Sequence, residues 1–312
     1  MFNLIKAELL KIVGKKSMKI SILIVLILMV GNCLLQATNE TNIKNWKEET
    51  QKFVEKTGKE LEEGKGTEDE EFNEIFLRDD YEVAKYCLEN EIPYNVVTPV
   101  KFVYGNTFML PILMILLLFI AIFNFIDEFQ FGTIKQILTR PYRRSTILGI
   151  KQIVFSILAV FVFLLQILIS YIIGILFFHQ NGNTVIDVKY LDGKIIQINM
   201  VKEIFQSVGA YFVAFLLLLG IAYLLICLVR NSILPVITTA VLWYGSGMIT
   251  EYLKKKAIIK YTIFPHLDLT QYIQGKELVL SGNTLALSIV ILAIHFIVIE
   301  AVVFYLFKKR DI

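Results

Sequence analysis

Side chains that could do chemistry are few in this sequence and scattered along it. They are His179, His266, His295, Cys33, Cys87 and Cys227. No two of them stand at CxxC or at Cys/His spacing typical of a metal site. A complete GxxxxGK[ST], HExxH or GxSxG motif is also missing from the sequence. We therefore expect a protein that is not an enzyme and binds no cofactor of its own. Its cysteines are expected to be packing residues, and a Cys33–Cys87 disulfide is the alternative.

The most informative polar stretch is residues 127–151, which lies between two long apolar runs. Asp127 and Glu128 open this stretch, and its apolar residues recur at roughly helical spacing. Arg140-Pro141 ends the periodic part, because proline disfavours helical geometry in the residue before it. The pattern predicts a short amphipathic helix at a membrane surface between two spanning helices. An ordinary interfacial loop with positive charges is the alternative.

The residues of this stretch carry a resemblance to a known family. The order E-x-x-x-G-T-I-K-x-[IL]-L-T-R-P-x-x-R over residues 128–144 resembles the cytoplasmic coupling segment of type 2 ABC exporter permeases. The permeases most similar in character are those of bacitracin- and lantibiotic-resistance exporters in Gram-positive bacteria. The matching residues are Glu128, Gly132, Thr133, Ile134, Lys135, Leu138, Thr139, Arg140, Pro141 and Arg144. A large acidic insertion after the first apolar run departs from many short permeases of that class and leaves the substrate open.

The resemblance implies a permease subunit driven by a separate ABC ATPase subunit, which would hold ATP and Mg²⁺. The coupling segment would dock on that ATPase and pass its motion to the spanning helices. The implied contact residues are Glu128, Phe129, Phe131, Gly132, Thr133, Ile134, Lys135, Leu138, Arg140, Pro141 and Arg144. A second permease, identical or different, would complete the translocation path. The implied cargo is a peptide antibiotic, a lipid-linked molecule or another amphipathic compound.

Glu128 has the most specific role among these residues. The resemblance implies that its carboxylate pairs with a basic group on the ATPase. The substitution Glu128→Lys is therefore expected to weaken association with the ATPase while leaving insertion and folding intact.

Composition independently indicates a membrane protein. The chain has 312 residues, of which 56% are hydrophobic and 19% charged, and its mean hydropathy is +0.63. Its apolar residues cluster in runs near the length that crosses a bilayer, ~20 residues. We therefore predict an all-α polytopic protein of the cell (plasma) membrane, with the lipid bilayer and no nucleic acid among its partners. The predicted transmembrane spans are 20–36, 107–126, 152–178, 207–229, 233–249 and 285–307.

The distribution of charge predicts the orientation of these spans. The stretches 1–19, 127–151, 230–231 and 308–312 together hold 14 basic and 4 acidic residues. Because basic residues favour the cytoplasmic side, both termini are predicted to be cytoplasmic. Residues 1–19 are predicted to form an interfacial amphipathic helix whose lysines face lipid headgroups, and residues 308–312 a short tail.

The three remaining connections are predicted to be extracellular. Residues 37–106 hold 17 acidic and 9 basic residues and read as a helical hairpin broken at Gly64-Lys65-Gly66. Their acidic surface is expected to be a solvated face, and attraction of a cationic peptide or exclusion of anions is the alternative. Residues 179–206 contain a β-hairpin with its turn at Asp192-Gly193. Residues 250–284 are apolar enough to re-enter the rim of the bilayer.

Three polar or small positions inside the predicted spans need partners or neighbours. Ser170 and Gly174, four residues apart, permit close helix packing. Glu300 is expected to snorkel or to pair with a polar neighbour, since its distance from His295 gives them no common face.

Two other functions remain open from the sequence. A secondary transporter or channel would have charges at the bilayer midplane and related halves, of which the sequence gives little sign. A membrane-anchored sensor or assembly protein would act through residues 37–106 and would need no coupling segment. The substrate, the direction of transport and the pairing of permeases are likewise left undecided by the sequence.

Overall fold

The computed structural model describes residues 2–39, 43–63, 68–130, 143–191, 193–229, 231–273 and 278–309, and most of these residues are helical. The helices are α1 (Phe2–Val13), α2 (Lys16–Asn39), α3 (Trp46–Glu63), α4 (Glu68–Glu89), α5 (Pro99–Gly105), α6 (Met109–Gln130), α7 (Arg144–Phe178), α8 (Met200–Val229), α9 (Ile233–Leu253) and α10 (Leu285–Lys309). Strands β1 (Ile186–Leu191) and β2 (Lys194–Asn199) pair antiparallel. Short 3-10 helices are Asn106–Phe108, His179–Asn181, Ala257–Tyr261, Phe264–His266 and Leu269–Tyr272.

Six helical stretches among the described residues are long and apolar enough to cross a membrane. They are Lys16–Ala37, Pro99–Glu128, Arg144–Asn181, Met200–Val229, Ile233–Leu253 and Leu285–Lys309. The prediction of six such helices is confirmed by length and composition, because a helix of ~20 residues reaches across the hydrocarbon core.

The chain divides into two compact units, and the first comprises Met1–Leu26, Phe108–Gln166 and Phe205–Ile312. Aromatic rings pack in its interior. The ring centroid of Phe125 lies 4.6 Å from that of Tyr223 and 5.9 Å from that of Phe307. All three side chains are fully buried, so they hold the C-terminal part of α6 in a fixed position.

The second unit comprises Ile27–Thr107 and Ile167–Ile204. Helices α3 and α4 pack on each other, and α4 also contacts both strands. A small apolar core consists of Cys33, Phe102 and Phe178, with the two rings 5.4 Å apart. Asn32 donates to the Asn106 side chain at 2.9 Å, which satisfies a buried amide within the unit. The two helices predicted within residues 37–106 are therefore present.

The predicted β-hairpin is also present. Leu191 stands opposite Lys194 at the closed end of the hairpin. Gly193 has φ of +76°, a left-handed conformation that glycine adopts without steric cost. Asp192, the other predicted turn residue, lies outside the described residues. Alternation of β-branched residues around a two-residue turn was sufficient signal for this element.

The small and polar positions inside the spanning helices behave as predicted. A Cβ at Gly174 would lie 3.0 Å from the backbone of Pro99, tighter than most real Cβ contacts, so glycine favours this close approach. Ser170 is buried on the same helix. Gln152 donates to both carboxylate oxygens of Glu300, at 2.7 and 2.9 Å, which confirms a polar neighbour for that acid. All three cysteines are buried and none of them forms a disulfide, so the alternative of a Cys33–Cys87 disulfide is wrong.

The spanning helices α7 and α8 both begin earlier than predicted. Helix α7 begins at Arg144 rather than at 152, because the amides of Thr146 and Ile147 donate to the Arg143 carbonyl and start the helix there. Helix α8 begins at Met200 rather than at 207. The Asn199 side chain accepts from a backbone amide in the first turn of that helix and caps it directly after β2.

Two other segments also differ from their predicted form. Residues 1–19 are not one interfacial helix, because α1 ends at Val13 and α2 already begins at Lys16. Between α9 and α10, where a loop with possible re-entrant helices was predicted, the described residues form three short 3-10 helices. Pro265, within the middle one, cannot donate to a helical ladder and favours such a short element.

Candidate functional site: a buried ionic cluster

The predicted coupling segment lies between the end of α6 and the start of α7. Glu128 and Phe129 are in the last turn of α6, and Arg144 is the first residue of α7. The remaining predicted contact residues lie outside the described residues: Phe131, Gly132, Thr133, Ile134, Lys135, Leu138, Arg140 and Pro141. What the structure defines is the pair of helix ends that hold this segment.

Glu128 lies inside the protein, with only 3% of its side chain exposed. Its Oε1 atom accepts from Lys11 Nζ at 2.5 Å and from Lys151 Nζ at 2.6 Å. Lys11 comes from α1 and Lys151 from the second turn of α7. The last turn of α6 is therefore ion-paired to two other helices.

Glu8 of α1 completes the arrangement. Its Oε1 accepts from Lys151 Nζ at 2.8 Å and from Asn124 Nδ2 at 3.1 Å. Lys11 Nζ is also 3.7 Å from Glu8. We refer to Glu8, Lys11, Asn124, Glu128 and Lys151 as the buried ionic cluster. Two carboxylates and two ammonium groups balance in charge, which is what makes their burial tolerable.

The charges of the cluster support one another. Burial alone would raise the pKa of Glu8, but the charge and hydrogen bond of Lys151 outweigh it, and the pKa lies below its ordinary value. Burial would lower the pKa of Lys11, whereas the hydrogen bond and charge of Glu128 raise it above its ordinary value. Lys151, with 3% of its side chain exposed, also lies 5.9 Å over the ring of Phe125. The pairing therefore favours the charged forms of Glu8 and Lys11.

The cluster still has spare hydrogen-bonding capacity. Among the described residues, Glu128 Oε2, Asn124 Oδ1 and the buried Tyr223 hydroxyl have no hydrogen-bond partner. A cavity of about 210 Å³ lies beside the cluster, lined by Glu8, Lys11 and Lys151 together with apolar residues of α1 and α7. The cavity is thus bordered by the paired side chains of the cluster, whereas the atoms without partners belong to residues that do not line it.

This geometry bears on two predictions made from the sequence. Lys11 pairs with Glu128, and Lys15 pairs with Asp127 at 3.0 Å, so both lysines have partners within the chain; that the lysines of residues 1–19 face lipid headgroups stays a prediction. The carboxylate of Glu128 is buried and paired with lysines of its own chain, so it is not exposed to a basic group of another protein. Glu128→Lys would bring three lysines together beside the buried Lys151 and is expected to destabilise the fold, instead of leaving folding intact.

The sequence contains only a weak signal for the cluster. Glu8 and Lys11 stand at i and i+3 on α1, which reads as an ordinary surface pair. Lys151 follows Ile150 at the start of a largely apolar stretch. A lysine buried there would need an acidic partner, because lysine is rarely buried without one. That partner is not identifiable without the fold.

A second polar arrangement ties the segment after α9 to α10. His266 Nε2 lies 2.9 Å from the Lys260 carbonyl oxygen, and this ring nitrogen must donate because a carbonyl only accepts. In the neutral imidazole, the other ring nitrogen, Nδ1, accepts from the Ser288 hydroxyl at 2.7 Å, and Ser288 accepts from the Tyr272 hydroxyl at 2.7 Å. This pattern of bonds requires a neutral imidazole, which burial of the ring favours.

This requirement gives the fold a defined pH dependence. Burial lowers the pKa of His266 below its ordinary value of 6.5, more than the bond to the Lys260 carbonyl raises it. The stability contributed by the neutral ring is therefore complete above pH 6.5 and is lost as the pH falls through the folded-state pKa. We expect the melting temperature of the wild type to fall more between pH 8 and pH 5 than that of His266→Gln. Thermal unfolding in detergent across that range tests this, and parallel pH profiles would contradict it.

Metal binding has no support among the described residues. No group of three or more histidine, cysteine, aspartate or glutamate side chains there is placed to hold a metal ion. The two lysines of the buried ionic cluster join α1, α6 and α7 through ion pairs with Glu8 and Glu128.

The fold is that of a mostly helical protein with six candidate membrane-spanning helices among its described residues, which supports membrane-protein character. The chain belongs to the DUF2705 family, described as a protein family of unknown function, whose model matches residues 73–312. It is 31% identical to the uncharacterized protein YhcI of Bacillus subtilis, over 100% of this chain and 99% of that relative. It is 28% identical to the uncharacterized membrane protein YdbK of the same organism, over 59% of this chain and 72% of that relative. No solved structure matches the chain.

Proposed function

We propose that this chain is the transmembrane permease subunit of an ATP-driven ABC exporter. The observation that carries the proposal is the sequence motif of residues 128–144. It resembles a coupling segment, and along the chain it lies between two candidate spanning helices. The buried ionic cluster supports it, because a segment that transmits force needs both ends held firmly. The hydrogen bond from Lys151 Nζ to Glu128 Oε1 connects the start of α7 to the end of α6.

The proposed mechanism follows from this connection. A cytoplasmic ABC ATPase subunit binds residues 129–144 and holds the ATP and Mg²⁺, and its closure displaces the segment. Because α6 and α7 are joined by the Glu128–Lys151 pair, they tilt together instead of separating. Helix α1 follows them, since Glu8 and Lys11 pair with the same two residues. A push at one surface segment thereby becomes a movement of three helices.

The proposed setting follows from charge and composition. The basic stretches at both termini and around the coupling segment face the cytoplasm, so the chain is a multi-pass protein of the cell membrane. A second permease, identical or different, forms the translocation path with it. The cargo is a peptide antibiotic, a lipid-linked molecule or another amphipathic compound, which an all-helical, largely uncharged path accommodates.

A sensor function is the second candidate, and one observation favours it. The unit that contains residues 37–106 is compact on its own and includes a cavity of about 370 Å³. A sensor would use this unit to bind its signal and would have no use for residues 128–144.

Copurification separates the two candidates. The full chain carrying an affinity tag is extracted from its native host in a mild detergent, and the bound proteins are identified by mass spectrometry. We expect recovery of a soluble ATPase with a P-loop, in amounts comparable to the tagged chain. A chain with residues 131–142 replaced by a Gly/Ser linker of equal length serves as the matched control and should recover none. If the wild type recovers no ATPase while a known ABC complex survives the same extraction, the exporter proposal is wrong.

A further inference from the structure

The second unit contains a cavity of about 370 Å³, a volume within the range of small-ligand sites, ~300–1,000 Å³. Its wall comes from α4, the connection before α5, α5 itself and β1. The charged and aromatic residues of this wall include Asp79, Asp80, Tyr94, Lys101, Asp187 and Tyr190. The described residues therefore place acidic and aromatic side chains around one open space.

The charges on the cavity wall do not balance. Lys101 donates to Asp187 at 3.0 Å, so this pair is neutral as a whole. Lys189, a further lining residue, is paired at 3.4 Å with Glu203. Asp79 and Asp80 have neither an ion pair nor a hydrogen bond with any described residue. The cavity is therefore left with two uncompensated carboxylates on the helix that forms one side.

Burial and the neighbouring charge both act on the pKa of Asp80. Burial, and then the charge of Asp79, raise the pKa of Asp80 above its ordinary value. A cation that enters the cavity would relieve this repulsion. The direction of the shift agrees with the geometry, in which the two acids are neighbours and the lysines nearby are already occupied.

The aromatic residues indicate which kind of cation fits. Tyr94 is held in place by stacking on Phe53, with ring centroids 5.7 Å apart. Tyr190 extends from β1 into the wall of the same cavity. Tyrosine faces attract ammonium and guanidinium groups, whereas a metal ion requires several oxygen or nitrogen ligands converging on one point. No such converging group exists among the described residues.

We propose that this cavity binds an organic cation, specifically the ammonium side chain of a lysine-containing peptide, between Asp79 and Asp80 on one side and the tyrosine rings on the other. The carboxylates supply the charge, and the rings enclose the methylene stem of the side chain. The site lies entirely within the second unit and does not depend on the function proposed for residues 128–144.

The test uses the full chain in nanodiscs of phosphatidylcholine, which has no net charge and does not attract the probe. The probe is a fluorophore-labelled tetralysine peptide, and its fluorescence anisotropy is measured at low ionic strength. We expect saturable binding, and about tenfold weaker binding by Asp79→Asn/Asp80→Asn. The matched control is Glu82→Gln/Glu89→Gln, which removes two charges from α4 outside the cavity wall and should change affinity by less than about twofold.

A third variant distinguishes the cavity from general attraction by an acidic surface. Tyr190→Leu keeps every charge and removes one ring, so we expect binding about threefold weaker than that of the wild type. Thermal unfolding checks that each variant is folded, and neutralising Asp79 and Asp80 breaks no described hydrogen bond or ion pair. Absence of saturable tetralysine binding by the wild type overturns the proposal. Equal weakening by the two double variants, with Tyr190→Leu unchanged, also overturns it and assigns the attraction to the whole acidic surface.

Discussion

Lys151→Met should abolish most of the folded protein. This substitution removes the cation that joins Glu8 to Glu128 and leaves two carboxylates facing each other in a buried site. Breaking a buried pair in this way costs about 3–5 kcal/mol, which exceeds the effect of most single substitutions. Thermal unfolding in detergent, together with the yield of monodisperse chain from size exclusion, measures the loss.

Two further variants show whether the charge itself is responsible. Lys151→Met/Glu128→Gln removes one charge of each sign and should recover more than half of the lost stability, although each single variant is severely destabilised. Lys85→Met replaces an exposed lysine of α4 in the same way and should unfold like the wild type. If Lys151→Met unfolds at the wild-type temperature, the cluster does not stabilise the fold. If the melting temperature of the double variant is no higher than that of Lys151→Met, packing rather than charge explains the loss of stability.

The sequence was a good guide wherever structure depends on neighbours along the chain. The six apolar helices follow from runs near bilayer length, and the hairpin follows from β-branched residues flanking Asp192-Gly193. Gly174 was recognised as a packing position because small residues at a spacing of four share a helix face. Each of these signals is complete within a few turns of helix or a few residues of strand.

The buried ionic cluster could not be predicted, because its partners are distant in sequence. Lys11 and Glu128 are 117 positions apart, and Glu8 and Lys151 are 143 apart. A lysine in an amphipathic N-terminal helix is usually exposed or near headgroups, and Lys11 is indeed still 40% exposed in its side chain. Only the packing of α1 against α6 and α7 decides that its ammonium group turns inward. The role first assigned to Glu128 failed for the same reason.

Helix starts were misplaced for a different physical reason. Hydropathy marks where a helix enters the membrane, whereas hydrogen bonding marks where it begins. The turns from Arg144 to Lys151 belong to α7 because their amides are satisfied within the helix, although their charges made them read as part of the polar segment. In the proposed mechanism this continuity matters, because Lys151 would transmit a displacement of the segment only if it lies on the same helix.

Ile134→Asp/Leu138→Asp should reduce copurification of the ATPase by more than about tenfold while the chain remains folded. These two apolar side chains, four residues apart, are proposed to fill a groove on the ATPase, and each carboxylate would have to be desolvated there. Neither residue belongs to the buried ionic cluster, so the joint between α1, α6 and α7 should persist. The measurement is the ratio of ATPase to tagged chain after extraction in mild detergent.

The matched control adds charge on the same predicted side of the membrane without touching the segment. Asn231→Asp serves this purpose, because the Asn231 side-chain oxygen accepts from the Ile233 amide at 2.8 Å and an aspartate keeps that cap. It should retain the wild-type ratio. A folded Ile134→Asp/Leu138→Asp chain that still binds the ATPase as the wild type does would remove these residues from the contact. Comparison with Lys151→Met then separates ATPase binding by the segment from stabilisation by the buried ionic cluster. Variants of the segment should lose the ATPase and keep the fold. Variants of the cluster should lose both the fold and the ATPase.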